Sequence, residues 1–304
     1  MLRKKLENGI KRLNLSWLGW RAALLLIVIG LIVLIIQLVK VPVTLSDETA
    51  EDFAGDGQTL KIYIEDIYNG RTLIPEYDVD LNTYDLNQFS ENKQGYKTYP
   101  NAKIGIDVSS HQQEIDWKKV KDSGIEFAII RLGYRGMTEG GLFLDEFFHQ
   151  NMEEALANDI PVGVYFFSQA TSAKEAEEEA EFVLKEITEY QVSYPVVFDW
   201  ETVISQEETP RTHNLDMEHL ASFAEAFCKK VEEGGKTAAF YTNKHLGYSG
   251  FDLEHLKDYD MWYAEYQPKP SFYYNFQIWQ YTESGQVPGI STGVDINLAF
   301  KSYE

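Results

Sequence analysis

The stretch Tyr194-Pro195-Val196-Val197-Phe198-Asp199-Trp200-Glu201 combines an apolar run with two carboxylates. The run predicts a buried β-strand, and the acids fall at its carboxyl end. Because side chains alternate across a strand, Asp199 and Glu201 point to one side and Trp200 to the other. Two neighbouring carboxyl groups resist ionising together, so the pKa of one rises. A neutral acid beside a charged base suits glycosidic-bond cleavage, although a solvated strand edge would also explain the motif.

Short β-rich runs of this kind recur through the carboxyl-terminal two thirds of the chain. The eight predicted strands are Lys103–Val108, Glu126–Leu132, Pro161–Phe167, Tyr194–Trp200, Lys236–Thr242, Asp260–Ala264, Phe276–Tyr281 and Gly293–Leu298. A helical periodicity predicts helices in five of the gaps, at Trp117–Ser123, Leu144–Asn158, Ala173–Tyr190, Asp216–Glu232 and Leu253–Asp258. Alternating strands and helices predict parallel strands joined by crossovers, and eight strands predict a closed barrel rather than an open sheet.

The connections between the last three predicted strands are too short for crossover helices. One contains Gln267-Pro268-Lys269-Pro270, and the next is a Gly/Pro loop. Without crossovers, the final strands are expected to be partly antiparallel. The predicted fold class is therefore α/β, a modified TIM-like (β/α) barrel with eight strands and about five helices.

Chemistry in a barrel of this type gathers at the carboxyl ends of the strands. Asp107 ends the first predicted strand and Asp295 lies in the eighth, so closure of the barrel should make them neighbours. With Asp199 and Glu201 they form the predicted catalytic set. Candidate substrate-binding residues near other strand ends are Arg131, Tyr165, Tyr241, Trp262, Trp279, Tyr281 and, in the turn after Asp107, His111. Aromatic rings in a cleft are typical platforms for sugars, although each is also ordinary core filler.

The amino-terminal part of the chain carries a membrane signal. Residues 22–39 are apolar apart from Gly30 and Gln37, and as a helix they would cross a hydrocarbon core of about 30 Å. Six basic residues precede this run against one acid, so the positive-inside rule predicts a cytoplasmic amino terminus and an extracellular remainder at the cell membrane. A cleaved signal peptide is the alternative, although Val41-Pro42-Val43-Thr44 lacks the small-x-small pattern of a cleavage site.

Composition shifts divide the chain into five predicted parts. They are a cytoplasmic basic segment at 1–21, a transmembrane helix at 22–39, an acidic linker at 40–59, a small appendage of unknown role at 60–100 and the barrel at 101–304. The appendage is expected to pack on the barrel.

Charge and composition exclude several classes of function. The net charge is −21 although the first 40 residues are basic, so the remainder is strongly acidic and nucleic acid is not expected as a partner. The six histidines show no HExxH or His-x-His spacing, and no metal site or cofactor is predicted. The single cysteine, Cys228, allows no intramolecular disulfide and is predicted to be a buried apolar residue.

Several motifs in order carry a family resemblance. They are IGIDVSSHQ at 104–112, IDW at 115–117, FAIIRLGYRG at 127–136, the D-x-x-F-x-x-N pattern of Asp145, Phe148 and Asn151, VGVYFF at 162–167, PVVFDWE at 195–201 and GVDIN at 293–297. Together, over about residues 103–300, they resemble glycoside hydrolase family 25, the bacterial and phage lysozymes (N-acetylmuramidases).

The resemblance implies cleavage of the β-1,4 bond between N-acetylmuramic acid and N-acetylglucosamine in peptidoglycan. It implies that Glu201 is the general acid and that Asp199 is the nucleophile or the stabiliser of an acetamido-derived oxazolinium. Asp107 and Asp295 would complete the pocket. Two departures would affect the grip on substrate: Phe166 stands where the family often has His, and Tyr134-Arg135-Gly136 replaces the usual Glu-Gly.

The expected function is therefore wall remodelling by a membrane-anchored lysozyme, with peptidoglycan glycan strands and the lipid bilayer as partners. Two alternatives stay open. One is a catalytically weak, membrane-tethered protein that binds peptidoglycan or acts as a scaffold, and the other is a hydrolase of a different amino-sugar polymer.

Overall fold

The computed structural model describes residues 60–205 and 208–303, which fall in one compact unit. The predicted basic segment at 1–21, transmembrane helix at 22–39 and linker at 40–59 lie outside the described residues. Within the described ranges, no helix has both the length and the apolar character needed to span a bilayer.

The strands form two small hairpins and one large closed sheet. The hairpins pair β1 (Lys61–Asp66) with β2 (Gly70–Pro75) and β3 (Ser90–Glu91) with β4 (Lys97–Thr98). The closed sheet contains β5 (Lys103–Val108), β6 (Phe127–Arg135), β8 (Val162–Ser168), β9 (Val192–Trp200), β10 (Ala238–Asn243), β11 (Asp260–Ala264), β12 (Ile278–Gly285) and β13 (Val294–Ala299), while β7 (Leu142–Leu144) adds to the edge of β6. Because β5 pairs with both β6 and β13, the eight strands close into the predicted barrel.

Strand direction follows the connections. Neighbouring barrel strands from β5 to β12 are parallel, whereas β13 is antiparallel to both β12 and β5. The edge strand β7 is antiparallel to β6. The prediction of partly antiparallel final strands is thus confirmed for β13. The link from β11 to β12 is a parallel crossover without a helix, in which Phe272, Tyr274 and Phe276 are buried and take the place that a helix would fill.

In the described part of the chain, five α-helices lie outside the barrel. They are α1 (Trp117–Asp122), α2 (Phe148–Ala157), α3 (Ala173–Glu186), α4 (Leu220–Glu233) and α5 (Lys244–Ser249). The prediction of a fifth helix at Leu253–Asp258 is wrong, since these residues form turns. The helix forms earlier because Asn243 ends β10 and its side chain accepts a hydrogen bond from the Leu246 amide at 3.0 Å, which caps α5 directly at the strand.

The barrel interior is apolar at one end. There the ring of Phe127 stacks on that of Tyr194 with centroids 4.4 Å apart, and Tyr303 packs against Tyr194. Gly105 leaves room for this stack, because a Cβ at that position would lie 2.3 Å from the Phe127 ring. A second apolar layer, between the strands and the helices, buries the outward side chains of the same strands.

Residues 60–100 pack on the barrel where helices are missing. The ring of Tyr84 stacks on Phe300 after β13 at 4.1 Å, and its hydroxyl donates a hydrogen bond to the Phe276 carbonyl at 2.6 Å. Phe89 meets Trp279 of β12 edge to face at 5.3 Å. The segment therefore covers the outer face of the last strands, which no crossover helix protects from water.

The space at Gly105 gives a test of the barrel interior. Gly105→Ala forces a methyl group into the Phe127 ring, and we expect a loss of about 1–3 kcal/mol in the free energy of unfolding. Gly293→Ala is the matched control, because the nearest atom to its added Cβ is 3.5 Å away. Denaturant unfolding of both variants measures the difference, and equal stabilities would contradict this account of the interior.

Candidate active site

A cavity of about 520 Å³ opens at the carboxyl ends of the parallel strands. The four predicted acids, Asp107, Asp199, Glu201 and Asp295, all line it. Other residues around it are His111, Gln112, Arg131, Tyr165, Phe167, Tyr241, Trp262, Tyr266, Gln280 and Glu283. We call this cavity the cleft. The alternation of the strands explains the grouping, because every second side chain points into the barrel and the last inward residues of the strands meet at this end.

Asp107 is held by two amides. Its Oδ2 accepts hydrogen bonds from Asn297 Nδ2 at 2.8 Å and Gln280 Nε2 at 2.9 Å. Asn297 in turn accepts a hydrogen bond from the Trp262 indole at 2.8 Å, which fixes its amide. Both amides are buried, so the carboxyl group of Asp107 is fixed in one orientation.

Asp107 and Asp295 share a proton. They pair across β5 and β13, and their carboxyl groups hydrogen-bond to each other. Burial raises the pKa of Asp107, although the hydrogen bonds from Asn297 and Gln280 oppose this effect. Burial and the Asp107 charge raise the pKa of Asp295 to about 9. Asp295 is therefore the protonated member of the pair at neutral pH.

Asp199 and Glu201 form the second acidic pair. Burial and then the Glu201 charge raise the pKa of Asp199 well above its usual range. Burial and the Asp107 charge raise the pKa of Glu201. Burial therefore favours the neutral form of Asp199 in the protein alone. Asp199 Oδ1 is buried without a hydrogen-bond partner in the described part of the chain, which adds to the cost of ionising this carboxyl group.

Arg131 is the cation of the cleft. Its guanidinium contacts Asp145 Oδ2 through Nε at 2.8 Å and through NH2 at 2.7 Å, and NH2 also donates to Ser110 Oγ at 2.9 Å. Asp145 accepts a further hydrogen bond from the Ser110 amide at 3.0 Å. The D-x-x-F-x-x-N pattern thus begins with the residue that positions Arg131. Its later members, Phe148 and Asn151, are buried in the core.

Aromatic side chains form the floor and walls. Trp262 is nearly fully buried and contacts Tyr165 and Tyr241 edge to face, with centroids 5.8 and 5.0 Å apart. Trp262 therefore forms the floor of the cleft and is not an exposed surface on which a sugar ring could stack. His111 is exposed at the rim, in the turn that follows Asp107.

Two predicted substrate-binding residues lie elsewhere. Trp279 is fully buried on the outer face of β12, where its indole donates to the Glu265 carbonyl at 3.0 Å. Tyr281 points to the same outer face, and its hydroxyl accepts a hydrogen bond from the Lys97 amide at 3.2 Å. Neither lines the cleft. The alternation along β12 places Gln280, between them, on the inside.

The two departures from the family pattern also lie outside the cleft. Phe166 is buried on the outer side of β8 against Phe182. Arg135 is buried and pairs with Glu179 at 2.6 Å, and its guanidinium also donates to the carbonyls of Gly140 and Glu175. Phe166 and Arg135 therefore hold the structure behind the cleft and are not placed to contact substrate. Tyr134, the first residue of the second departure, is exposed, and its ring lies 5.7 Å from the guanidinium carbon of Arg131.

Sequence reasoning missed five residues of the cleft, namely Gln112, Phe167, Tyr266, Gln280 and Glu283. The sequence pattern could have identified Gln280, because it is a polar residue between Trp279 and Tyr281. Side-chain alternation along the strand then puts it on the face opposite to theirs. Its Oε1 accepts hydrogen bonds from Tyr266 at 2.9 Å and Tyr241 at 3.2 Å, while its Nε2 reaches Asp107. Tyr266 lies in the loop after β11, where no strand or helix periodicity predicts the direction of a side chain.

The remaining candidates for chemistry are remote from the cleft. Cys228 is buried in α4, as predicted, and contacts the Ala239 carbonyl at 3.5 Å. Asp216, Glu218 and His219 have ligand atoms within 4.8 Å of one another, but all three are exposed, as acidic surface groups often are.

Comparison with known proteins agrees with this geometry. The model of the family "Glycosyl hydrolases family 25" matches residues 106–290. YegX of Escherichia coli K12 is 30% identical over 206 residues, which cover 64% of this chain and 68% of YegX. The autolytic lysozyme of Clostridium acetobutylicum is 26% identical over 198 residues, covering 64% of this chain and 54% of that protein.

A solved structure extends the likeness to the fold. The modular autolysin LytC of Streptococcus pneumoniae superposes with a TM-score of 0.57 at 26% identity, over 79% of this chain and 56% of LytC. LytC also matches in a complex with a synthetic peptidoglycan ligand. The chain thus spans little more than half of LytC and of the clostridial lysozyme. The match to the family model covers more than half of the chain, and the chain therefore belongs to glycosyl hydrolase family 25, with a glycoside hydrolase barrel.

Proposed function

We propose that this chain is a lysozyme, an N-acetylmuramidase that hydrolyses the β-1,4 bond between N-acetylmuramic acid and N-acetylglucosamine in peptidoglycan. The observation that carries the proposal is the placement of Asp199 and Glu201 beside Asp107 and Asp295 in one cleft, where burial raises the pKa of both Asp199 and Glu201. The lysozyme and autolysin relatives, and the peptidoglycan ligand of LytC, support this substrate class.

Glu201 serves as the general acid in this proposal. A leaving sugar oxygen needs a proton as its bond to the anomeric carbon breaks. Burial raises the pKa of Glu201, which favours the protonated form that a general acid needs. Its position directly after β9 places it at the mouth of the barrel rather than in the core.

Asp199 stabilises the sugar as positive charge develops. Its carboxyl group lines the cleft and would face either the anomeric carbon or the acetamido group of a bound sugar. The first arrangement makes Asp199 a nucleophile, and the second makes it the stabiliser of an oxazolinium. In either arrangement Asp199 acts in its ionised form, which a cationic ring beside the carboxyl group favours by lowering its pKa.

The remaining residues orient these two acids and the sugar. Asp107 carries the negative charge of its pair with Asp295 and adds to the potential that stabilises a cationic transition state. Arg131, fixed by Asp145, offers a donor to sugar hydroxyl or carbonyl groups at the cleft wall.

Exchange of Glu201 tests the general acid. Glu201→Gln keeps the shape of the side chain but removes the proton, and we expect the rate to fall by about 10²–10⁴-fold. Release of new reducing ends from purified sacculi measures it. Glu177→Gln on the exposed face of α3 is the matched control and should keep full activity. Wild-type turnover by Glu201→Gln would refute the assignment.

The same assay separates the alternative functions. Activity of the wild type excludes the binding or scaffold alternative, and identification of the reducing sugar separates peptidoglycan from other amino-sugar polymers.

The buried acids also predict how stability depends on pH. The pKa of Asp295 rises from 3.8 to about 9 on folding because of burial and the Asp107 charge. Between these values the folded state holds a proton that the unfolded chain releases, so the free energy of unfolding should decrease as pH rises from about 4 to about 9. Asp295→Asn keeps a hydrogen-bond donor but does not titrate, and its decrease should be shallower.

Denaturant unfolding at several pH values across this range measures the slope. Asp258→Asn, at an exposed position far from the cleft, is the control and should follow the wild type. Parallel curves for Asp295→Asn and the wild type would show that Asp295 does not hold the shared proton.

We also propose that residues 22–39 anchor the protein in the cell membrane with the barrel outside, where it would remodel the wall. The support is the apolar run and the six basic residues before it.

Protease accessibility tests this orientation. Protease added to intact protoplasts should release the barrel and leave a short membrane-bound fragment. Full protection of the barrel would contradict this orientation, and recovery of an intact barrel in the medium before protease is added would favour a cleaved signal peptide.

A further inference from the structure

A second cavity lies beside the cleft on the outer face of β12. Its volume is about 490 Å³, within the range of roughly 300–1,000 Å³ that ligand pockets occupy. Tyr281 and Thr282 of β12 form one wall, and Glu91 and Lys97 of the β3–β4 hairpin form the opposite one. We call it the outer cavity. The hairpin belongs to residues 60–100, outside the part of the chain that matches the family model.

The outer cavity and the cleft meet at Tyr266. This side chain lines both and is 45% exposed, so its ring is available to a ligand. Its hydroxyl donates to Gln280 Oε1 at 2.9 Å, which holds the ring at the rim. Along β13, Asp295 faces the cleft and the next residue, Ile296, faces the outer cavity. One pair of strands therefore separates the two cavities, and a chain that leaves the cleft over this rim reaches the outer cavity.

The lining favours a neutral polar ligand. Three exposed amides surround the outer cavity, those of Gln94, Gln267 and Gln286. Its one cation, Lys97, is already paired with Glu91 at 3.8 Å and lies 5.7 Å from the centroid of the Tyr281 ring. Amides beside an aromatic ring suit the hydroxyl and acetamido groups and the apolar face of a sugar. A ligand carboxylate would be less favoured, because Glu91 already neutralises the charge of Lys97.

The hairpin is fixed before any ligand arrives. Tyr96 is buried, and its hydroxyl lies 3.4 Å from Ser123 Oγ at the end of α1. The next residue, Lys97, donates its amide to the Tyr281 hydroxyl. A preformed site loses little conformational entropy on binding, so even a few hydrogen bonds contribute to affinity.

We propose that the outer cavity is a carbohydrate subsite that holds an N-acetylated amino-sugar unit of a glycan chain extending beyond the cleft. This inference rests on the proposed function, because the same chain must occupy the cleft. It gives residues 60–100 a role in substrate binding: they make the enzyme prefer long glycan chains over short ones.

Binding to glycan chains of increasing length tests the subsite. The probe is uncross-linked peptidoglycan glycan of defined length with its stem peptides removed by an amidase, titrated into the full chain carrying Glu201→Gln to prevent hydrolysis. Affinity should rise with length until the chain fills both cavities. Adding Gln94→Ala and Gln267→Ala should weaken binding of the long chains about tenfold, the effect of losing about two hydrogen bonds, and leave binding of the shortest chains unchanged.

Controls separate the possible outcomes. Gln150→Ala, an exposed amide on α2 remote from both cavities, should not change the length dependence. Gln286→Ala is an independent variant of the subsite, in case the double variant fails to fold. Equal affinity of the subsite variants and Gln150→Ala for long chains would overturn the proposal. A gain with length that requires stem peptides would overturn it in favour of a peptide site. Absence of binding at every length would instead contradict the proposed function.

Discussion

Four carboxyl groups crowd together at one end of the barrel, two of them buried and two half-buried, and the side chains around them must compensate for the lost hydration. Unpaired carboxylates in a desolvated site are costly, so the groups must hold protons or find donors. Asp107 finds donors in Gln280 and Asn297, and Asp295 keeps its proton. This arrangement explains why buried amides occupy the neighbouring strands and why the indole of Trp262 is directed at Asn297. The same desolvation raises the pKa of Glu201, which is the shift that the proposed general acid needs.

The barrel tolerates these acids at one end because apolar side chains fill the interior at its other end. Phe127 and Tyr194 stack across the interior, and Gly105 leaves the space that they need. The outer layer is less regular, since crossover helices are missing around the last three strands. Residues 60–100 supply the apolar cover there through Tyr84 and Phe89. A segment that reads as an appendage in the sequence is therefore part of the hydrophobic core.

The sequence predicts the barrel and its acids well because both depend on local pattern. Strand β5 and strand β11 have the predicted bounds, and the four acids meet at the predicted end. The sequence-based predictions fail at residues whose positions depend on tertiary contacts. Trp279 and Tyr281 are aromatic residues near a strand end, but only the alternation set by Gln280 shows that they face outward. The position of Tyr266 depends on a loop held from outside by Asp66 and Lys244, which no periodic pattern reveals.

That loop connects the two roles of residues 60–100. Lys244 forms ion pairs with Asp66 of β1 at 2.7 Å and with Glu265 at 3.0 Å, and Ser271 also donates to Asp66. Glu265 directly precedes Tyr266, whose ring stands between the cleft and the outer cavity. The contacts that tie the amino-terminal segment to the barrel therefore also set the rim over which a glycan chain would pass. If the proposed subsite binds glycan, a change at Asp66 or Lys244 should therefore affect both stability and the binding of long chains.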